Sequence, residues 1–293
     1  MTKKSLKPKP FNQLTLMDDF LFSVASEDIM FCKCMLQAIL GKKIVHITRW
    51  QPQKEIKNLP GLRGIRVDLL VVDNEGKVYN VEVQIYDAKN LPKRSRFYQS
   101  LVDHPLLISG EEDFNKMNDT YLIMICSFDP FGAGKYCYTF ENMCAEDPKI
   151  HLNDGAKRIF LNTKGTNDQE VSPELISFLR YMESCSDESA KQSESENLTY
   201  IQDYIRKLKA SKEIGVAYMQ SWEKERMLRN EGKAEGKAEA LLDILNMHGP
   251  VSAEISDRIL SETDLDTLGR WVAFAVKAQT LDQFCKNAFG KVL

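Results

Sequence analysis

Apolar residues recur at helical spacing early in the chain, at Phe20, Phe22 and Val24 and then at Ile29, Phe31, Met35, Leu36, Ile39 and Leu40. This predicts two short helices, opened by Asp18-Asp19 and Glu27-Asp28 and closed by Gly41. The period then changes to two. Ile65, Val67, Leu69 and Val71 alternate, Asp73-Asn-Glu-Gly76 follows, and Val81, Val83 and Ile85 alternate again after Val78, which predicts a β-hairpin. Arg94 to Ile108, apolar at Phe97, Leu101 and Leu106, predicts a helix that Pro105 interrupts. Tyr121 to Cys126 is a continuous apolar run of strand length, suited to a strand buried on both faces. Two further strands are expected at Tyr136 to Phe140 and Lys157 to Asn162, and a helix at Pro173 to Met182 with Leu175, Ile176, Phe178 and Leu179 as its stripe.

The pattern fades after that helix. Glu183 to Asn197 holds five Ser and five acidic residues and almost nothing apolar, a mixture that cannot bury itself. The expected organisation is therefore a first domain over 1–182, a linker over 183–198 and a helical region over 199–293. In the last region Tyr200, Ile201, Tyr204, Ile205 and Leu208 keep helical spacing, and Ser221 to Asn246 continues as a charged helix until Gly249-Pro250. That helix contains the repeat Glu231-Gly-Lys-Ala-Glu-Gly-Lys-Ala-Glu239, which suits either close helix-to-helix approach or a soluble spacer. Three short helices finish the chain, the last opened by Thr280-x-x-Gln283.

Composition narrows the function classes. The 293 residues are 43% apolar, enough for a buried core, with no signal-like start and no apolar stretch of membrane length, so a soluble cytoplasmic protein is expected. Seven scattered cysteines read as reduced, core-filling thiols rather than a disulfide set or a zinc site. Lys plus Arg number 39 against 42 Asp plus Glu, so no global positive field draws the chain to nucleic acid. The charge is unevenly spread, however: residues 1–100 hold 17 basic and 10 acidic residues, or +7, leaving 22 and 32, or -10, for the rest.

The chemistry lies in the basic segment. If Asn74-Glu75-Gly76 is a three-residue loop with Gly76 left-handed, Val67 to Asp73 pair with Lys77 to Val83, and Asp68 faces Glu82. Opposed carboxylates destabilise a sheet unless something compensates, and a divalent cation does so. A half-exposed hairpin with Arg66, Asp68, Glu82 and Gln84 solvated is the plain alternative; Leu70 and Val72 on the face of Asp68 count against it. Downstream, Lys93, Arg94 and Arg96 offer contacts to phosphate. Nucleotide-binding loops and the common protease and esterase motifs are missing, and His46, His104, His151 and His248 have no evident nucleophile partner.

Asp68 followed across a hairpin by Glu82-x-Gln84 resembles the core of the PD-(D/E)xK nuclease superfamily. Met17-Asp-Asp-Phe-Leu-Phe-Ser23, Arg66-Val-Asp-Leu69, Tyr79-Asn-Val-Glu-Val-Gln84, Arg94-Ser-Arg-Phe-Tyr-Gln-Ser100 and Phe128-Asp-Pro-Phe-Gly132 resemble, more narrowly, the Rpn family, recombination-promoting nucleases also labelled transposases. The resemblance implies an α/β fold, a restriction-endonuclease-like core of mixed central sheet flanked by helices, followed by a C-terminal helical region. It implies a metal-dependent DNA endonuclease in which Asp68 and Glu82 hold Mg²⁺ or Mn²⁺, Gln84 stands where the usual lysine does, and Asp19 matches the N-terminal acidic position. Lys93, Arg94 and Arg96 are then the expected DNA contacts. Ser23, where many relatives carry lysine, and Gln84 both depart from the pattern. DNA is the expected partner, with homo-oligomerisation through the C-terminal helices and neither a membrane nor a nucleotide cofactor. The rival readings are a catalytically silent DNA-binding or mobile-element-associated protein that keeps the fold, and an interaction protein acting through its C-terminal helices.

Overall fold

The computed structural model describes residues 8–57, 60–186 and 195–290. Within it lie two compact units, one over Lys9–Ile214 and a C-terminal one from Gly215 onward.

The first unit is a six-stranded mixed sheet flanked by helices. Its strands are β1 (Ile47–Ile56), β2 (Ile65–Asp73), β3 (Val78–Gln84), β4 (Thr120–Cys126), β5 (Cys137–Phe140) and β6 (Ala156–Asn162), in the order β1-β2-β3-β4-β6-β5. β3, β4 and β6 run parallel, and the remaining pairs are antiparallel. Two N-terminal helices, α1 (Asp19–Ala25) and α2 (Ile29–Leu40), precede the sheet. Asp28 caps α2 through Phe31 N at 2.6 Å, and Gly41 closes it at φ 62°, both as the sequence predicts. Asp18 stands at the start of α1 but spends its carboxylate on Thr15 N and Lys9.

Parallel neighbours need a crossover, and α3 (Leu91–Asp103) supplies the one from β3 to β4. It begins three residues before the predicted start, with Pro92 in its first turn, and gives way to a 3₁₀ turn at Pro105. Leu91, Tyr98, Leu101 and Val102 of α3 join Leu70, Val78, Leu122, Met124 and Phe160 of the sheet in one core cluster. β4 is buried along nearly its whole length, as its uninterrupted apolar run requires.

β1 is a strand that the hydrophobic pattern does not announce. It is an edge strand, mostly polar, with Pro52 in the middle and Gln53 at φ 50°, and edge position is what tolerates a proline there. α4 (Pro173–Ser184) and α5 (Glu196–Ala210) complete the unit. The sequence assigns α5 to the C-terminal region, whereas the structure packs it on α2: Tyr200 Oη donates to Asp28 at 2.9 Å, Gln37 to Asn197 Oδ1 at 2.7 Å, and Phe31 meets Tyr204. The expected linker is thereby shortened, since Ser195 already caps α5; its residues 187–194 lie outside the described residues.

α6 (Lys212–Asn246) begins nine residues before the predicted helix. In the C-terminal unit its Ala234, Ala238, Leu241 and Leu245 form a core with Ile255 and Ile259 of α7 (Ala253–Leu260), Leu268, Trp271 and Ala275 of α8 (Leu265–Lys277), and Phe284 of α9 (Leu281–Phe289). The repeat thus buries its alanines, while a methyl group added at Gly232 or Gly236 would meet nothing within 4 Å. Thr280 caps α9 through Gln283 N. Among the described residues no helix is long and apolar enough to cross a membrane.

Candidate active site

On the α3-facing side of the sheet the hairpin changes character along its length. Leu70, Val72 and Val78 are apolar near the turn, while Asp68, Asn80, Glu82 and Gln84 bring polar groups to the other end. The expected register holds where the ladder forms, Leu69 pairing with Val81 and Leu70 with Asn80, and it brings Asp68 and Glu82 side by side just past the last pair. Gly76, at φ 80°, makes the turn that sets this register.

The two acids are tied to each other's strands. Val83 N donates to Asp68 Oδ2 at 2.9 Å, and Asp68 N donates to Glu82 Oε1 at 3.2 Å. Glu82 is only 1% exposed. Burial, and next the charge of Asp68, push its carboxyl well above the ordinary range. Asp68 is raised to about 6, again chiefly by burial, with Asp19 adding repulsion and the Val83 N–H, Arg94 and Arg66 opposing. Asn80, equally buried, stands beside Glu82 and tempers its rise, yet neither atom of its amide makes a hydrogen bond of normal geometry.

Arg94 is the nearest cation. Its Nη1 donates to Gln84 Oε1 at 2.8 Å, its Nη2 donates to Tyr98 Oη at 3.0 Å and stands 3.7 Å from Glu82 Oε2, and the guanidinium lies over the Tyr98 ring at 4.9 Å. The sequence groups Arg94 with Lys93 and Arg96 as contacts to flanking DNA. The structure separates them: Arg94 reaches into the acid pair, whereas Lys93 and Arg96 are exposed on α3. The helical period explains the difference, because Arg94 and Tyr98 are four residues apart and share the sheet-facing side of α3. The charge run alone carries no sign of that inward turn.

Asp68, Glu82, Gln84 and Arg94 are therefore brought together. Asp19, exposed at the start of α1, is close enough to raise Asp68 electrostatically, but no group of three or more acidic, His or Cys side chains converges as a metal cluster among the described residues. Ser23 is half-buried in α1 and takes part in no side-chain interaction with the acid pair. The donors present suit a hard divalent cation: the carboxylates of half-buried Asp68 and buried Glu82, with the buried amide of Asn80 beside them. The cysteines are free thiols, and burial raises Cys32 to about 12, which makes it inert packing rather than a ligand. Asn80 is the site residue that sequence reasoning missed. An Asn at an inward position of a central strand, two residues before Glu82, is the signal that points to it.

No curated protein and no solved structure matches the chain. A family model described as PD-(D/E)XK nuclease family transposase matches residues 20–236, which takes in all but the first residue of α1, the whole sheet, α2 to α5 and much of α6. With that match over most of its length, and with the mixed sheet and its two-acid hairpin in place, the chain belongs to the PD-(D/E)XK nuclease family transposases.

Proposed function

We propose that this protein is a metal-dependent DNA endonuclease whose active site is the Asp68–Glu82 pair. The single observation that carries this reading is the placing of half-buried Asp68 beside buried Glu82, two carboxylates whose proton affinities are both raised, a costly arrangement that a divalent cation relieves. A bound Mg²⁺ or Mn²⁺ would supply charge neutralisation at the phosphate and a water acidified towards neutrality.

The chain's own residues do the rest. Asp68 and Glu82 hold the cation, and the cross-strand bonds from Val83 N and Asp68 N fix both carboxylates. Gln84 has its carbonyl engaged by Arg94, which leaves its NH₂ free to orient a water or a phosphate oxygen. Arg94 carries positive charge into the site, and Gln84 does not, so the guanidinium takes over neutralisation of charge developing on phosphate. Lys93 and Arg96 bind phosphates to either side. In the overall reaction water adds to phosphorus and one phosphodiester P–O bond breaks, the leaving oxygen ending protonated. Assembly through the C-terminal helices belongs to the same proposal and draws on the exposed Met219, Met227 and Leu228 of α6.

The test is plasmid nicking by the purified protein in Mg²⁺ or Mn²⁺, wild type beside Asp68→Ala and Glu82→Ala. Nicking by the wild type and none by folded variants supports the reading. Equal nicking by all three marks a contaminant and sinks it. Tight DNA binding with no cleavage in either metal favours the silent DNA-binding alternative.

A further inference from the structure

The segment leaving β4 carries Phe128-Asp-Pro-Phe-Gly132, a motif for which the acid pair has no use. Asp129 fixes this loop. Its carboxylate accepts from the backbone N–H of Phe131 at 3.0 Å, Gly132 at 2.9 Å and Gly134 at 2.7 Å, and from the Tyr138 hydroxyl at 2.7 Å. Gly132 and Gly134, at φ 73° and 69°, provide the left-handed turns that let those N–H groups converge.

This locked loop presents Phe131. Its ring centroid lies 4.9 Å from those of Tyr138 and Phe140 and 5.1 Å from that of Phe160, yet Phe131 stays 38% and Phe140 42% exposed. Between these rings and the first turn of α3 is a notch of about 100 Å³, lined by Pro92, Ser95, Phe131, Phe140, Arg158 and Phe160. A fixed loop and the end of β5 that together hold two aromatic rings open to solvent are unlike a core.

The surrounding charges are distinctive. Lys89, Lys135 and Lys157 each end on a carboxylate, of Asp87, Glu170 and Glu141 respectively. Arg158, in the notch, and Lys93 and Arg96, on α3, have no acidic partner among the described residues. The notch shares elements with the acid pair: the turn of α3 that supplies Pro92 and Ser95 also carries Arg94, and Ser127 N donates to Gln84 O at 3.0 Å where the loop begins.

We propose that Phe131 and Phe140 form a stacking notch for one unpaired base of the DNA substrate, with Arg158, Lys93 and Arg96 on the adjoining phosphates. The proposal rests on the nuclease reading and narrows its substrate to DNA with a single-stranded segment. Aromatic rings bordered by free cations match the requirements of single-strand binding, because every base has a π-face and every linkage a charge. A base inside continuous duplex has both faces covered by its neighbours and cannot enter. An apolar protein partner would leave three unpaired cations at the rim without a counter-charge.

Binding is measured in EDTA, where cleavage is off, with labelled single-stranded, overhanging and blunt duplex DNA. The wild type should prefer DNA with unpaired bases. Phe131→Ala and Phe140→Ala should each weaken that binding about tenfold and leave blunt duplex unchanged, while Phe131→Tyr restores it. Thermal denaturation checks that each variant is folded. Should an alanine variant not fold, Phe131→Trp gives the reading instead: its emission is quenched by unpaired DNA and not by blunt duplex. Equal wild-type affinity for blunt and unpaired DNA overturns the proposal, as do folded alanine variants with unaltered preference; either result leaves the nuclease reading standing if nicking persists. A folded wild type that binds no DNA also overturns the proposal, and nicking in Mg²⁺ or Mn²⁺ decides the nuclease reading separately.

Discussion

The two ends of the β2–β3 hairpin both bury carboxylates, and they treat them in opposite ways. At the turn, Asp73 is 4% exposed and filled with donors: Glu75 N at 2.8 Å and Lys77 N at 2.9 Å on one oxygen, the Tyr79 hydroxyl at 2.9 Å on the other. At the far end, Asp68 and Glu82 receive one backbone N–H each, Arg94 stands 3.7 Å from Glu82, and Arg94 and Arg66 oppose the rise of Asp68 without cancelling it. Buried polar groups in a finished structure are normally satisfied. Asp73 obeys that rule and reads as structure. The Asp68–Glu82 end leaves acceptor capacity open and carboxyl groups that resist ionisation, and such imbalance concentrates where a protein does chemistry. Burial alone therefore does not distinguish a site; the shortage of donors around the buried charge does.

Exchanging the two ends experimentally breaks or sharpens this contrast. Glu82→Gln should abolish nicking and leave the fold at least as stable, because the amide oxygen can still accept from Asp68 N and the buried charge is gone. Asp73→Ala should do the reverse, destabilising the protein by about 2 to 3 kcal/mol by orphaning buried donors while cleavage per folded molecule survives. Chemical denaturation alongside nicking separates the two effects, and matching behaviour of the two variants would collapse the comparison. Next in size, Arg94→Ala should slow cleavage on the order of 100-fold at saturating metal, with Arg94→Lys recovering part of the loss. An unchanged single-turnover rate would reduce Arg94 to packing.

The acid pair also sets a pH dependence in metal-free protein. Asp68 has a folded pKa of about 6, above its ordinary value of 3.8, and that of Glu82 is shifted in the same direction. The folded state then holds protons that the unfolded state has released, so the stability that these groups contribute is full below about pH 4 and lost as pH rises through about 6. Thermal melts between pH 4.5 and 7.5 should show this decline in the wild type, a weaker one in Asp68→Asn, and recovery on adding Mg²⁺ at pH 7.5. A wild-type profile identical to that of Asp68→Asn would contradict the assignment. The smallest effect belongs to the exposed cations: Lys93→Ala and Arg96→Ala should each weaken DNA binding a few-fold and lower the slope of log affinity against log salt by about one.

Much of this arrangement was legible in the sequence, where periodicity and turn chemistry agree. Gly76 marks the turn that brings Asp68 opposite Glu82, and the unbroken run Tyr121 to Cys126 marks an interior parallel strand. What escaped did so for physical reasons. β1 hides because an edge strand needs few apolar residues, and Pro52 argues against any strand until its edge position is known. α5 looked like part of the second region because a polar segment precedes it, although its partners Asp28 and Gln37 lie more than 150 residues away in sequence. The inward reach of Arg94 depends on how α3 rotates over the sheet, which a run of basic residues does not encode.

Calorimetric titration of Mn²⁺ into metal-free protein tests the central claim most directly, with Asp68→Asn and Asp73→Asn measured beside the wild type. The account predicts a binding event in the wild type that Asp73→Asn retains and Asp68→Asn abolishes. Equal binding by all three, or none by the folded wild type, would contradict it.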